Sequence, residues 1–231
     1  MNGFVSYLKS LDLSVIRDFS MRVIPAMICV TLHELSHGFT ACKLGDDTAK
    51  RAGRLTLNPI RHIDPMGILM MIVFRFGWAK PVPVNMMKFK NPKRGMAITA
   101  LAGPMSNVVI CAVFLFLYGL LYYPLYVQNR LGAFGSGLLE IVYITAYISI
   151  AMGIFNLLPI PPLDGSKVLY SVLPDSTYYK LMRYERSGMI LLLLLVWSDV
   201  FGSPLSTAVE WSFDKLFNAA QWGFDIVKRF I

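Results

Sequence analysis

The chain has 231 residues, enough for one sizeable domain or two small ones. It is 55% hydrophobic with a mean hydropathy of +0.54, and the apolar residues gather in long runs, which argues for an integral membrane protein over a soluble domain. The net charge of +8 is read as the positive-inside bias of a membrane protein and not as nucleic-acid binding, and three cysteines without a CxxC argue against a disulfide framework.

Residues 1–20 predict an amphipathic helix, because Phe4, Leu8, Leu11, Val15 and Phe19 recur at helical spacing. The first membrane-length helix is expected over 23–44, with Pro25 in its opening turns, where proline costs little. A basic polar loop follows. The next apolar stretch, PMGILMMIVFRFGWAKPVPVN at 65–85, starts too short to span, so a re-entrant or hairpin element is expected there. Clear spans are expected over 96–123 and 137–158. After a polar loop at 159–187, the apolar block near 188–202 is short and crosses only with its flanks. The tail predicts another amphipathic helix, with Val209, Phe213, Leu216, Ala220, Phe224 and Val227 on one face.

The predicted fold is an all-α multi-pass membrane protein. It is a helical bundle of three to four or more spans, with a re-entrant or β-hairpin element and flanking amphipathic helices. Residues 1–20 form the N-terminal amphipathic segment, 21–204 the membrane-embedded core and 205–231 the C-terminal amphipathic helix. Segments 43–95 and 159–187 hold fifteen of the 22 Lys and Arg residues, whereas 124–136 holds only Arg130. That asymmetry puts the end of the first span on the cytoplasmic side of the cell membrane.

The stretch TLHELSHGFTACKLG, at 31–45, places ionisable residues inside an apolar run. His33 and His37 lie one turn apart on one face, a rise of roughly 6 Å, so their rings can converge on one ion. Glu34 sits about 100° around the helix, beside the ion, where it can take a proton from water. This is the HExxH arrangement of metalloproteases. A lone pair of hydrogen-bonded core histidines is the plainer reading. Three ionisable groups at mid-bilayer, each costing about 2.5–3.5 kcal/mol, argue for a metal that compensates them.

A catalytic zinc takes a third protein ligand. Cys29 is too far along the axis to join both histidines and is read as a packing residue. The candidates are His62, Asp64, Glu140, Asp164 and Asp199. Asp164 fits best, in FNLLPIPPLDG: three prolines bar regular helix, and a carboxylate on such a loop can fold back onto a neighbouring helix. A plain Asp-Gly turn is the competing reading. One further element is expected at AKPVPVN. If 80–85 is extended, Pro81 and Pro83 lack donors on one edge while Val82 and Val84 keep theirs on the other. That edge can dock an unwound substrate or a hairpin partner in 72–76.

Together these residues resemble the site-2 protease family of intramembrane zinc metalloproteases. The resemblance rests on HELSH within a span and on NLLPIPPLDG (156–165) at the end of a later one. It is supported by LNPIRHIDPMG (57–67), WAKPVPVN (78–85) and ALAGPMSN (100–107), in the family's order. It implies one zinc ion per chain held by His33, His37 and Asp164, with Glu34 activating water. It implies a role for Asn156 toward substrate or oxyanion, with a helix-end cap as the alternative. Asn107 either points into the site or packs, and His62 either meets substrate or is an interfacial histidine bonded to backbone. The form resembled is a minimal prokaryotic one, without a PDZ-type or other regulatory domain. The expected partners are a transmembrane protein substrate and the lipid bilayer, with no nucleic acid and with a homo-oligomer left open. The alternative is a metal-binding membrane protein without protease activity, a transporter or inactive scaffold. The intact Glu34 argues against it.

Overall fold

The computed structural model describes residues 13–67, 70, 77–127, 132–183, 185–198, 200 and 202–230. Residues 1–12 of the amphipathic segment expected over 1–20, the hairpin partner at 72–76 and Asp199 lie outside them; 13–20 belong to the helix that runs on to Lys43. Among the described residues the chain is helical and forms no strand. The helices are α1 (Leu13–Lys43), α2 (Thr48–Arg51), α3 (Pro92–Tyr122), α4 (Ala133–Asn156), α5 (Asp164–Ser171), α6 (Asp175–Arg183), α7 (Glu185–Trp197), α8 (Gly202–Leu216) and α9 (Asn218–Phe230).

Two helical stretches are long and apolar enough to cross a membrane, Pro92–Val127 and Phe134–Asn156. A third qualifies if α7 and the α8–α9 pair, bent by 88°, count as one. The 31-residue α1 is long enough but less apolar, because His33, Glu34 and His37 interrupt its run. It also starts earlier than its apolar pattern does. Pro25 is therefore interior to α1, not in its opening turns.

Local signals set the ends that frame the site. α1 stops at Gly45, whose φ of 107° favours glycine, while Asp46 N–H reaches back to Ala41 O at 2.9 Å. α3 starts at Pro92, after Asn91, whose side chain accepts from Arg94 N–H. α4 ends at Asn156, and the proline-rich 157–163 turns the chain into α5.

α1 and α3 run antiparallel, since His33 meets Asn107 while His37 meets Thr99. α4 is antiparallel to α3 in turn, and Ser149 Oγ donates to Asn107 O at 2.9 Å. Such internal partners are what an apolar solvent requires of polar groups. The core gathers Cys111, Leu115, Ala146, Ile150, Val209 and Phe213. The tail is not one helix but two, broken at Phe217, and α9 lies directly on α3. Gly119 and Gly223 make that crossing close, since a Cβ on either would collide with the opposite backbone.

Residues 80–85 form no helix and pack against α1 at Glu34 and Gly38. Lys80 N–H donates to His62 O at 2.9 Å, and Arg54 donates to Lys80 O at 2.7 Å. Asn85 N–H donates to Asp46 at 2.6 Å. Burial alone raises the Asp46 pKa, but hydrogen bonds from the Thr48 hydroxyl and from the N–H groups of Asn85 and Thr48, with the Lys88 charge, hold it below the usual carboxylate range. Ile63 and Ala79 form an isolated antiparallel bridge, which brings the two ends of the 64–78 stretch together.

Candidate metal centre

His33 and His37 stand one turn apart on α1, and their Nε2 atoms are 3.0 Å apart. Asp164, the first residue of α5, brings Oδ2 to 3.2 Å from His33 Nε2 and 3.0 Å from His37 Nε2. All three side chains are buried. Ligand atoms about 2.0–2.1 Å from one tetrahedral ion stand about 3.3 Å from each other, so this triangle has the size of a zinc site. Its chemistry agrees. Each corner offers a lone pair, and Asp164 Oδ2 is buried with no hydrogen-bond partner. With both rings protonated on Nδ1, a cation satisfies all three lone pairs at once.

Glycines let these groups approach. A Cβ at Gly103 on α3 would strike both imidazole rings, and one at Gly165 would strike the Leu157 backbone. Gly38 makes room on α1 for the 80–85 segment, where a Cβ would sit 2.9 Å from the Val82 side chain.

With Nε2 turned toward a cation, each ring proton sits on Nδ1 and needs an acceptor. His37 Nδ1 has Thr99 O at 2.7 Å. His33 Nδ1 meets the Asn107 amide at 3.2 Å, and Asn107 is fully buried with its Oδ1 unpaired. Which amide atom faces the ring is fixed by hydrogen bonding and not by shape. Rotating the amide by half a turn gives the orphaned Oδ1 the imidazole proton.

Glu34 lines a cavity of about 300 Å³ with the two histidines and Asp164. Its Oε2 accepts from Val82 N–H at 2.8 Å. Asn156, Val82 and Val84 line the same cavity.

A profile of peptidase family M50 matches residues 21–196. The chain belongs to peptidase family M50. It is similar to "Putative zinc metalloprotease YwhC" of Bacillus subtilis, at 40% identity over 82% of this chain and 83% of that protein. It is also similar to "Putative zinc metalloprotease Rip2" of Mycolicibacterium smegmatis, at 28% identity over 87% of this chain and 76% of that one. No solved structure matches it. M50 is the site-2 protease family that the motifs resemble, so the chain is an intramembrane zinc metalloendopeptidase, with zinc as its cofactor.

In this M50 peptidase the other sequence candidates are spread more widely. His62 is buried beneath the 56–63 loop, its Nε2 at 3.0 Å from Thr56 O, and it does not line the cavity. Asn107 stands behind His33 rather than at the cavity wall. Asp64 accepts from the Trp78 indole at 3.1 Å, and Glu140 is exposed on α4. Cys29 packs in the bundle with Sγ at 3.4 Å from Thr145 O. Asp164 opens a helix and does not make an Asp-Gly turn. The sequence reading missed Thr99 and Gly103. Their signal was the spacing: Thr99, Gly103 and Asn107 recur every four residues, a small and polar stripe in an apolar helix.

Asn107→Leu is expected to weaken zinc binding about 10–100-fold by depriving His33 of its acceptor. Asn107→Asp keeps an acceptor and should stay closer to wild type. Zinc titration against a competing chelator reads both, and equal affinity in all three proteins refutes the positioning role.

Proposed function

We propose that His33, His37 and Asp164 hold the zinc and that Glu34 is the general base and acid. The bond cut lies in or near a transmembrane segment of another membrane protein. The observation that carries this reading is the convergence of two Nε2 atoms and Asp164 Oδ2 within 3.2 Å, beside a cavity they share with Glu34. When bound, zinc supplies Lewis acidity at neutral pH. The Glu34 carboxylate takes a proton from the attacking water and returns it to the leaving amine. Asn156 spends one amide N–H on Met152 O at 2.9 Å, which leaves the other for the developing oxyanion.

A transmembrane helix hides its carbonyls in its own hydrogen bonds and must unwind before attack. The unwound backbone then needs new partners, because an unsatisfied group in lipid costs several kcal/mol. Segment 80–85 can supply them by strand addition. Its Val82 N–H is held by Glu34, whereas Val84 makes no backbone hydrogen bond to another described residue and lines the cavity. Val84 is thus the open rung, with Val82 tying that rung to the base. A neighbouring cavity of about 370 Å³, walled by Trp78, Met152, Phe155 and Leu192, suits an apolar substrate side chain.

The C-terminal part of α1, the N-terminal part of α3 and the end of α4 meet at the metal centre. The segments 43–95 and 159–187 that join them carry fifteen of the 22 Lys and Arg residues. That charge supports an active site near the cytoplasmic face of the cell membrane.

Three variants test the chemistry together. Glu34→Gln should retain zinc and lose cleavage. Asp164→Asn should lose both, since an anionic ligand is gone. Val84→Pro should retain zinc while cleaving a transmembrane substrate at least tenfold more slowly. Wild-type cleavage by Glu34→Gln rules out the base, and wild-type cleavage by Val84→Pro rules out the docking rung. For orientation, Lys50→Cys and Ser176→Cys should react with an impermeant thiol reagent from the cytoplasmic side and Phe134→Cys from the other. The reverse pattern refutes it.

A further inference from the structure

Away from the metal centre, the segment that leads into α3 walls a second cavity, of about 590 Å³. Lys90, Lys93 and Arg94 line it together with Asp175 and Tyr179. Lys93 is already neutralised. Its Nζ lies 2.9 Å from Asp175, donates to Leu173 O, and sits over the Tyr178 ring. Lys90 and Arg94 have no carboxylate partner among the described residues, so two of the cavity's positive charges are uncompensated by any described acid.

The same cavity continues onto apolar surface. Arg94, Ile98, Leu101 and Met105 follow at intervals of four, three and four, which places them on one face of α3. Ile98 and Leu101 line the cavity, and Ile98 and Met105 are 40% and 56% exposed. Val109 and Val113 extend the exposed face at 59% and 48%. α3 begins a membrane-capable stretch at Pro92, so Arg94 stands at the start of a span and this face runs into it. From Arg94 to Met105 the helix rises about 16 Å, close to half of a ~30 Å hydrocarbon core. Two cations at the head of an apolar stripe one leaflet long match one kind of molecule. Tyr179, half-exposed at the rim, suits the headgroup region.

We propose that this cavity is a binding site for an anionic phospholipid. The lipid phosphate pairs with Lys90 and Arg94, and an acyl chain lies along Ile98, Leu101 and Met105. Charge complementarity selects the occupant: a zwitterionic headgroup brings its own cation beside the two that are already there.

The test uses the full zinc-loaded chain in phosphatidylcholine bicelles, with trace spin-labelled phosphatidylglycerol or spin-labelled phosphatidylcholine. The fraction of label immobilised by the protein is measured. Wild type should immobilise phosphatidylglycerol several-fold more strongly than phosphatidylcholine. Lys90→Gln with Arg94→Gln should abolish the preference, at up to about fivefold per cation removed. Lys215→Gln with Lys228→Gln removes equal charge from the tail helices and should leave the preference in place. Zinc content equal to wild type shows that each variant is folded. Three results overturn the site: a preference that survives in the first pair, a preference lost equally in both pairs, or displacement of the labelled lipid by millimolar inorganic phosphate. The last would mark a site for soluble phosphate.

Discussion

Three lone-pair atoms held about 3 Å apart, away from water, are the constraint around which the rest of this structure is arranged. With both ring protons on Nδ1, a carboxylate and two imidazoles present only lone pairs to one another in that geometry, and burying an unpaired anion is costly. One divalent cation removes the conflict. The surrounding helices show what is needed to hold the triangle. α3 gives up a side chain at Gly103 so that both rings can lean on its backbone, and α5 gives one up at Gly165 so that Asp164 can turn inward from the end of the proline-rich loop. The ring protons are directed away from the ion, toward Thr99 O and Asn107.

The proposed substrate-docking segment, 80–85, borders this centre. Two carboxylates hold it, Glu34 on α1 through Val82 N–H and Asp46, in the turn after α1, through Asn85 N–H. The hydrogen bond on Glu34, the proposed base, is therefore made by the residue two before Val84, the proposed rung. Under the proposed docking, a substrate strand seated on Val84 would be registered against Glu34 through Pro83 and Val82. Pro81 and Pro83 restrict the alternatives, since each fixes φ and offers no donor. Positioning of this kind brings the scissile bond and the base together without a large motion.

Much of the centre was legible because it rests on helical periodicity. Spacing puts His33 and His37 on one face, and an apolar run around three ionisable residues asks for a metal. The Asp164 carboxylate was legible as the best of several acids, through the prolines that precede it. The partners across helices were not legible. A sequence shows that Asn107 lies in an apolar span, but only the antiparallel pairing of α1 and α3 puts it behind His33. The link from Val82 to Glu34 spans 48 residues and has no local signature. Boundaries misled where apolar pattern and helix differ. α1 continues well before its apolar run, so Pro25 became interior. Read alone, the tail looks like a single amphipathic helix for a membrane surface, yet Gly119 and Gly223 bring α9 onto α3.

The central claim is the identity of the three ligands. Zinc-edge X-ray absorption on the Glu34→Gln protein reads them directly. The account predicts a first shell of nitrogen and oxygen only, at about 2.0–2.1 Å, with outer-shell scattering from two imidazoles. A sulfur neighbour at about 2.3 Å, which would put Cys29, Cys42 or Cys111 on the metal, or a shell without imidazole scattering, would contradict it.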